Sequence, residues 1–147
     1  MKAVSRYKWA DLPGDLRVTI RDGVLEHLSN GRYSLTSADL SLKTAISRSM
    51  VAMMEQEWPQ NWPELFAQFK NIVLNETLFP QAQMVFIVLK RLIENVITYA
   101  TISNQMRRKE LSTSVNAIMP ELLSMTIGRI RICIAQGVNG KGFLLGN

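Results

Sequence analysis

The sequence predicts an all-α protein built from antiparallel helical hairpins that stack side by side. Apolar residues recur at intervals of three and four positions along most of the 147 residues, and no segment alternates as a strand does. Two Trp-Pro pairs, Trp58-Pro59 and Trp62-Pro63, stand four residues apart between two such segments. Proline cannot continue a helix that arrives from its N-terminal side, yet it is favoured in the first turn of the next helix. The two pairs therefore predict a corner at which one helix ends and another begins.

Two helices are predicted before this corner. The first begins at Pro13, carries an apolar residue at every fourth position, and is closed by Asn30-Gly31, a typical helix stop. Its apolar line is Leu16, Ile20, Val24 and Leu28. The second helix is expected to begin at the N-cap Asp39 and to end at the corner. Its apolar face is Leu42, Ile46, Met50, Met53 and Met54.

Three helices are predicted after the corner. The third has the clearest apolar stripe, made of Trp62, Leu65, Phe66, Phe69, Ile72 and Val73. The fourth, Gln81 to Ala100, is apolar nearly all round, which places it in the middle of the stack. The fifth is expected to be capped by Ser103, and Pro120 within it predicts a kink or a break. Its register is Leu111, Val115, Ile118, Met119, Leu122, Thr126 and Ile130.

A loose internal repeat accompanies these helices. The segment Trp9…Pro13-Gly14-Asp15-Leu16 echoes Trp58…Pro63-Glu64-Leu65, about one two-helix unit further on. This period is typical of HEAT repeats, so we expect residues 1–136 to form a short α-solenoid. A four- or five-helix bundle is the alternative. Residues 137–147 hold four of the eight glycines and are expected to be a divergent tail that does not continue the helix.

The segment Glu57-Trp58-Pro59-Gln60-Asn61-Trp62-Pro63-Glu64-Leu65 resembles the Trp-Pro-x-x-Trp-Pro helix junction of the exportin branch of the importin-β superfamily. Further landmarks of that branch occur in order and at similar spacing: Tyr7-Lys8-Trp9, Glu26-His27-Leu28-Ser29-Asn30-Gly31, Lys43-Thr44-Ala45-Ile46-Ser47-Arg48 and Arg107-Arg108-Lys109. The resemblance runs from about Val4 to Gln136. It covers a small N-terminal part of a receptor that is normally many times longer.

Residues for catalysis are scarce. The chain has one histidine, His27, and one cysteine, Cys133, which is expected to be an inert buried thiol. No paired acids or metal-ligand cluster stand at catalytic spacing, so we expect neither an enzyme nor a cofactor or metal site. The longest apolar run, Met84 to Leu89, is too short to cross a membrane. A single cysteine indicates a reducing compartment.

A basic cluster on the fifth helix is the candidate binding site. Residues 103–136 carry five basic side chains, Arg107, Arg108, Lys109, Arg129 and Arg131, against two acidic ones. A solvated helix face is the simpler interpretation, and a phosphate-binding surface is the functional one. The exportin resemblance implies that such a surface contacts Ran-GTP or double-stranded RNA cargo such as precursor microRNA. It also implies shuttling between nucleus and cytoplasm, with the helices that start at Pro13, Trp62 and Ser103 on the concave side.

A free-standing helical-repeat scaffold without transport activity is the alternative function. A short stack has two uncapped ends, and terminal repeats normally carry polar outer faces. Here the apolar residues Trp9 and Leu12 mark one end, and Phe143-Leu144-Leu145 mark the other. We therefore expect self-association through these ends.

Overall fold

The computed structural model describes residues 9–31, 40–98 and 102–139. Within them, residues 9–11 are helical, and five longer α-helices follow. They are α1 (Gly14–Ser29), α2 (Leu40–Glu57), α3 (Leu65–Val73), α4 (Phe79–Ile93) and α5 (Gln105–Asn139). A π-helical turn, Glu94–Thr98, continues α4. Since these ranges contain helices and no strand, the all-α prediction is confirmed.

Helices α2 and α4 lie side by side and run in the same direction. Near their beginnings, Lys43 Nζ donates to Gln83 Oε1 at 3.3 Å. Near their ends, Asn95 Nδ2 donates to Glu55 Oε1 at 3.1 Å. Both pairs are 40 residues apart in sequence, a spacing that HEAT repeats have between equivalent positions of successive units.

Helices α3 and α5 form a second parallel pair. Lys70 Nζ lies 2.8 Å from Glu121 Oε1. About four turns further along α5, Gln136 Nε2 donates to the carbonyl oxygen of Glu76, just past the end of α3, at 2.7 Å. In an up-and-down bundle, helices two apart in sequence are parallel but lie diagonally across the core. Here the helices two apart in sequence contact each other directly: α2 contacts α4 in one layer, and α3 contacts α5 in the other. The arrangement is the α-solenoid segment that the sequence predicts, and not a bundle.

Helix α4 lies in the middle of the core, as predicted. It packs against α2 and α3 and also touches α1, and its side chains are buried on several sides. The hairpin prediction implies that α2 and α3 pack against each other after the corner. Instead, both pack mainly against α4 and much less against each other. The buried α4 residues are Ala82, Met84, Val85, Val88, Leu89 and Leu92.

The Trp-Pro corner is confirmed. Helix α2 ends at Glu57, and α3 begins at Leu65 after a short turn. Trp58 is 3% exposed and Trp62 is fully buried, while Pro63 lies at the surface and Pro59 is half-buried. The Trp58–Pro59 peptide bond is cis. Every member of the apolar stripe predicted for the third helix is buried.

The apolar line predicted for α1 is buried in its second half only. Leu28 is fully buried and Val24 packs against the core, whereas Leu16 and Ile20 are 42% and 36% exposed. The buried residues of α1 are Arg21, Leu25 and Leu28. The predicted stop is confirmed, because Gly31 closes α1 with a φ of 79°, a value that suits glycine.

Part of the α2 prediction is also revised. Met50, Met53 and Met54 are buried as expected, whereas Leu42 is exposed. The predicted N-cap Asp39 lies outside the described residues.

Helix α5 begins and ends differently from the prediction. Its N-cap is Asn104 and not Ser103, because the Asn104 Oδ1 atom accepts the Arg107 backbone N–H at 3.0 Å. The helix continues through Pro120 without a break. It also includes residues 137–139, so the expectation that the helix does not continue past residue 136 is wrong for these three residues, while the division into 1–136 and 137–147 stays a prediction. The remaining tail, 140–147, lies outside the described residues.

The buried line of α5 agrees with the predicted register at Leu111 and Val115 and includes Met125. Met119 and Ile130, which the register placed in the core, are exposed instead. Cys133 is half-buried and not fully buried as expected.

Candidate partner-binding surface

Arg107 of the predicted basic cluster points into the fold and closes the C-terminal end of α2. Its Nε donates to the Glu55 carbonyl oxygen at 2.7 Å, and its Nη2 donates to the carbonyl oxygens of Trp58 and, at 3.4 Å, Met54. The last carbonyls of a helix have no partner within the helix, and the helix dipole favours a cation beside them. Arg107 therefore supplies the hydrogen-bond donors and the positive charge that the C-terminal end of α2 lacks.

Arg129 does the same for α3. It is only 5% exposed, and its Nη1 donates to the carbonyl oxygens of Val73 at 3.1 Å and Asn75 at 2.8 Å. Its guanidinium carbon lies 5.3 Å from the centroid of the Phe79 ring, within the range of a cation–π contact. Arg129 therefore has a structural role at the C-terminal end of α3.

The five predicted binding residues thus do not form one exposed cluster. Arg107 and Arg129 have internal partners, Arg108 is half-buried, and Lys109 and Arg131 are exposed. With a rise of about 1.5 Å per residue, Lys109 and Arg131 are roughly 33 Å apart along α5. That Arg108, Lys109 or Arg131 contacts a partner stays a prediction. For Arg107 and Arg129 the prediction is revised, because both side chains bind the carbonyl oxygens at the ends of helices.

The sequence carries a signal for this arrangement. Arg107 and Arg129 are in phase with the buried line of α5, one at each end. The full line is Arg107, Leu111, Val115, Ile118, Leu122, Met125 and Arg129, at intervals of three and four. An arginine in phase with a buried stripe points to the neighbouring helices, whereas Lys109 is out of phase and exposed.

Side chains from α1 and the segment before it brace the Trp-Pro corner. The Arg21 guanidinium lies 5.6 Å from the centroid of the Trp62 ring and donates to the Asn61 carbonyl oxygen. Glu57, which is buried, accepts hydrogen bonds from Trp9 Nε1 at 2.9 Å and from Arg17 Nη1 at 3.2 Å. Trp58, Pro59, Trp62 and Pro63 thus form a fixed structural corner. Trp9 is partly buried against the core, so it does not form the exposed apolar end that the sequence suggested.

An open groove of about 530 Å³ runs between α1 and α3. Three carboxylates line it, and the rest of its polar lining is amides and a hydroxyl. The carboxylates are Asp22, Glu26 and Glu64, and the other polar lining residues are Ser29, Gln68, Asn71 and Asn75. All three carboxylates are exposed at the surface, and Asp22 Oδ1 and Glu64 Oε1 each lie 3.7 Å from a guanidinium nitrogen of Arg21. This groove attracts lysine or arginine side chains and repels phosphate groups.

Other kinds of site are not seen in the described part of the chain. Within 9–31, 40–98 and 102–139, no three His, Cys, Asp or Glu residues come together as metal ligands would. None of the helices described is both long and apolar enough to pass through a bilayer.

Comparison with known proteins places this geometry in a family. The family described as Exportin 1-like protein matches residues 40–135, which extend from the start of α2 almost to the end of α5. The chain belongs to the Exportin 1-like family. Both parallel helix pairs, α2 with α4 and α3 with α5, fall within the matched residues.

Two curated relatives are similar to nearly all of the chain. Human Exportin-5 is 26% identical over 131 residues, and mouse Exportin-5 is 26% identical over 135 residues. Each alignment covers 89% of this chain and 11% of the relative. The chain therefore spans about one ninth of the length of these Exportin 1-like relatives.

Proposed function

We propose that this chain is a segment of a nuclear export receptor of the exportin-5 type, shuttling between nucleus and cytoplasm. The observation that carries the proposal is that the family match coincides with the two-layer stack of parallel helices. A stack of this kind presents an extended surface on one layer of helices, which is how solenoid proteins bind macromolecules. The layer made of α1, α3 and α5 is the one that contains the groove.

Ran-GTP is the partner we assign to this groove. Asp22 and Glu26 are exposed on α1, and Glu64 and a row of amides face them from α3. Carboxylates repel the phosphates of RNA, whereas the basic side chains of a protein would form ion pairs and hydrogen bonds there. The groove therefore supports a protein partner better than a nucleic acid.

The test measures binding of the whole chain to Ran loaded with a non-hydrolysable GTP analogue and to Ran loaded with GDP. We expect binding to the GTP form and at least tenfold weaker binding to the GDP form. The double change Asp22→Asn with Glu26→Gln should weaken binding of the GTP form about fivefold, since each exposed ion pair contributes about 0.5 kcal/mol. Glu64 is left unchanged because it is the N-cap residue of α3.

The matched control is Asp15→Asn with Glu76→Gln, which changes the same charge at exposed positions outside the groove. It should leave the affinity for Ran within about twofold. Equal binding of both nucleotide forms, or equal loss in the two double variants, would contradict the assignment of Ran-GTP to the groove. Absence of binding would favour a helical-repeat scaffold without transport activity of its own.

Double-stranded RNA, such as a precursor microRNA hairpin, is the second candidate partner. The observation in its favour is that Lys109 and Arg131 are exposed on α5, roughly 33 Å apart, and Arg108 is half-buried next to Lys109. Basic side chains on a helical surface bind the phosphates of an RNA duplex through charge and shape. This contact would lie on α5, away from the acidic groove.

A further inference from the structure

The groove between α1 and α3 is long and narrow. Along α3 its lining extends from Glu64 to Asn75, which is about 16 Å at a rise of about 1.5 Å per residue. One end lies at Arg21, whose guanidinium nitrogens are 3.7 Å from Asp22 Oδ1 and from Glu64 Oε1. The other end lies at Asn75 and at Leu78, where α4 begins. A volume of about 530 Å³ spread over this length corresponds to a cross-section of about 33 Å².

This cross-section suits an extended chain and not a helix. A helix with its side chains is about 10–12 Å wide, which gives a cross-section of roughly 80–110 Å². Strands lie about 4.8 Å apart within a sheet and about 10 Å apart between sheets, so an extended chain occupies roughly 48 Å². Because the groove is open on its solvent side, such a chain can lie in it with some side chains outside. At about 3.3 Å per residue, about five residues span the groove.

The walls of the groove carry two kinds of polar group. Asp22 and Glu26, one turn apart on α1, supply carboxylates, and Glu64 faces them from α3. Further along, α3 supplies the side-chain amides of Gln68 and Asn71. No residue in the described part of the chain forms a hydrogen bond with these two amides or with the Glu26 carboxylate. All three side chains are exposed, so they are available to a ligand.

The two kinds of group suit different parts of an extended chain. A side-chain amide donates and accepts hydrogen bonds at once, as a peptide backbone does, so Gln68 and Asn71 can bind the N–H and C=O groups of such a chain. Alternate side chains of an extended chain point to the same side at a spacing of about 6.7 Å. Asp22 and Glu26 are about 6 Å apart along α1. This distance matches two basic side chains that are separated by one residue.

We infer that the groove binds an extended peptide segment of about five residues with lysine or arginine at alternate positions. The basic side chains pair with Asp22 and Glu26, and the backbone binds the amides of Gln68 and Asn71. The inference rests on the proposed function, since the segment belongs to the protein partner, and it adds the conformation of that segment and the spacing of its charges. A helix is too wide for the groove, and an RNA strand carries the wrong charge.

The test uses the whole chain and the peptide acetyl-Thr-Lys-Val-Lys-Val-Thr-amide, whose β-branched residues favour the extended form. In an NMR titration the side-chain amide signals of Gln68 and Asn71 should shift, and nuclear Overhauser effects within the bound peptide should be those of an extended backbone. The same peptide with glutamine in place of lysine should bind about fivefold more weakly, because two exposed ion pairs are lost. An alanine-based helical peptide with two lysines four positions apart should also bind about fivefold more weakly, because it is too wide.

Variants of the chain test the site itself. Asn71→Phe fills the middle of the groove without a change of charge and should weaken binding of the lysine peptide about tenfold. The matched control, Asn116→Phe, makes the same change at an exposed position of α5 outside the groove and should leave the affinity within about twofold. The double change Asp22→Asn with Glu26→Gln should weaken the lysine peptide about fivefold and leave the glutamine peptide unchanged. Circular dichroism should show equal helix content in all variants.

Equal losses in the Asn71→Phe and Asn116→Phe variants would overturn the inference, and so would a helical peptide that binds as tightly as the extended one. The Ran measurements separate its failure from that of the proposed function. Binding of Ran-GTP with no binding of the peptide would overturn the extended segment and leave the assignment of Ran-GTP in place. Binding of the peptide with no binding of Ran-GTP would support the extended segment and overturn Ran as its source.

Discussion

Arg129 Nη1 donates a hydrogen bond of 3.1 Å to the carbonyl oxygen of Val73 and so ties α5 to the C-terminal end of α3. Arg107 ties the same helix to the end of α2 through the carbonyl oxygen of Glu55. In both cases the side chain comes from an element more than 50 residues further along the sequence. One long helix thereby closes two shorter helices, and its two arginines join successive units of the stack.

Replacing Arg129 tests its structural role. Arg129→Met should lower the free energy of unfolding by about 2–3 kcal/mol, because buried carbonyl groups lose a charged donor. The matched control is Arg131→Met, which removes an exposed arginine two residues away and should change stability by less than about 0.5 kcal/mol. Urea unfolding followed by circular dichroism measures both. Equal effects of the two changes would mean that Arg129 does not close α3.

Arg107 is expected to act in the same way at α2. Arg107→Gln should lower Tm by about 4–8 °C, since a loss of roughly 2 kcal/mol shifts a chain of this length by that amount. Arg108→Gln, a change of the same kind at the next position, should leave Tm within about 2 °C. A larger effect at position 108 than at 107 would contradict the contacts described for α2.

The corner prediction concerns Trp62, which is fully buried. Trp62→Ala should lower the free energy of unfolding by about 3–5 kcal/mol, because removal of the ring creates a cavity. The Arg21 guanidinium also loses the aromatic ring that it contacts. Met106→Ala serves as the control, since Met106 is 74% exposed and its loss should cost less than about 0.5 kcal/mol. A small effect at Trp62 would show that the corner does not stabilise the fold.

Periodicity and proline positions were sufficient to predict the helices, the Trp-Pro corner and the central place of α4. These signals are local, and so the sequence carries them directly. Which side of α1 is buried is not local, because it depends on where the corner lies. Arg21, Leu25 and Leu28 contact the rest of the fold, whereas Leu16 and Ile20, at the start of the line that ends at Leu28, are exposed.

The candidate site was less predictable than the fold for the same reason. The partners of Arg107 and Arg129 are backbone carbonyls that no residue type specifies, and they belong to distant helices. Net charge on a segment therefore overstated the exposed basic surface. The acidic groove was missed because Asp22 and Glu26 of α1 meet Glu64 only after folding.

Binding of double-stranded RNA, if it occurs on α5, should depend on the three remaining basic residues. Changing Arg108, Lys109 and Arg131 together to Gln should flatten the slope of log affinity against log salt by about two to three units, since each phosphate contact contributes about 0.7–0.9. Filter binding over a salt series measures the slope. The groove variant with Asp22→Asn and Glu26→Gln serves as the control and should leave that slope unchanged. An unchanged slope in the triple variant would exclude these residues from RNA binding.

The parallel contact between α2 and α4 is the claim on which the α-solenoid stack depends. It is tested by crosslinking cysteine pairs with a short thiol reagent in a Cys133→Ser background and detecting the intramolecular product by mass spectrometry. The pair Lys43→Cys with Gln83→Cys should crosslink, because the native side chains are in hydrogen-bond contact. The pair Lys43→Cys with Asn95→Cys should not, because Asn95 lies about 18 Å further along the helix axis. Crosslinking of the second pair alone would show antiparallel helices, and crosslinking of neither would show a bundle with α2 and α4 on opposite sides of its core.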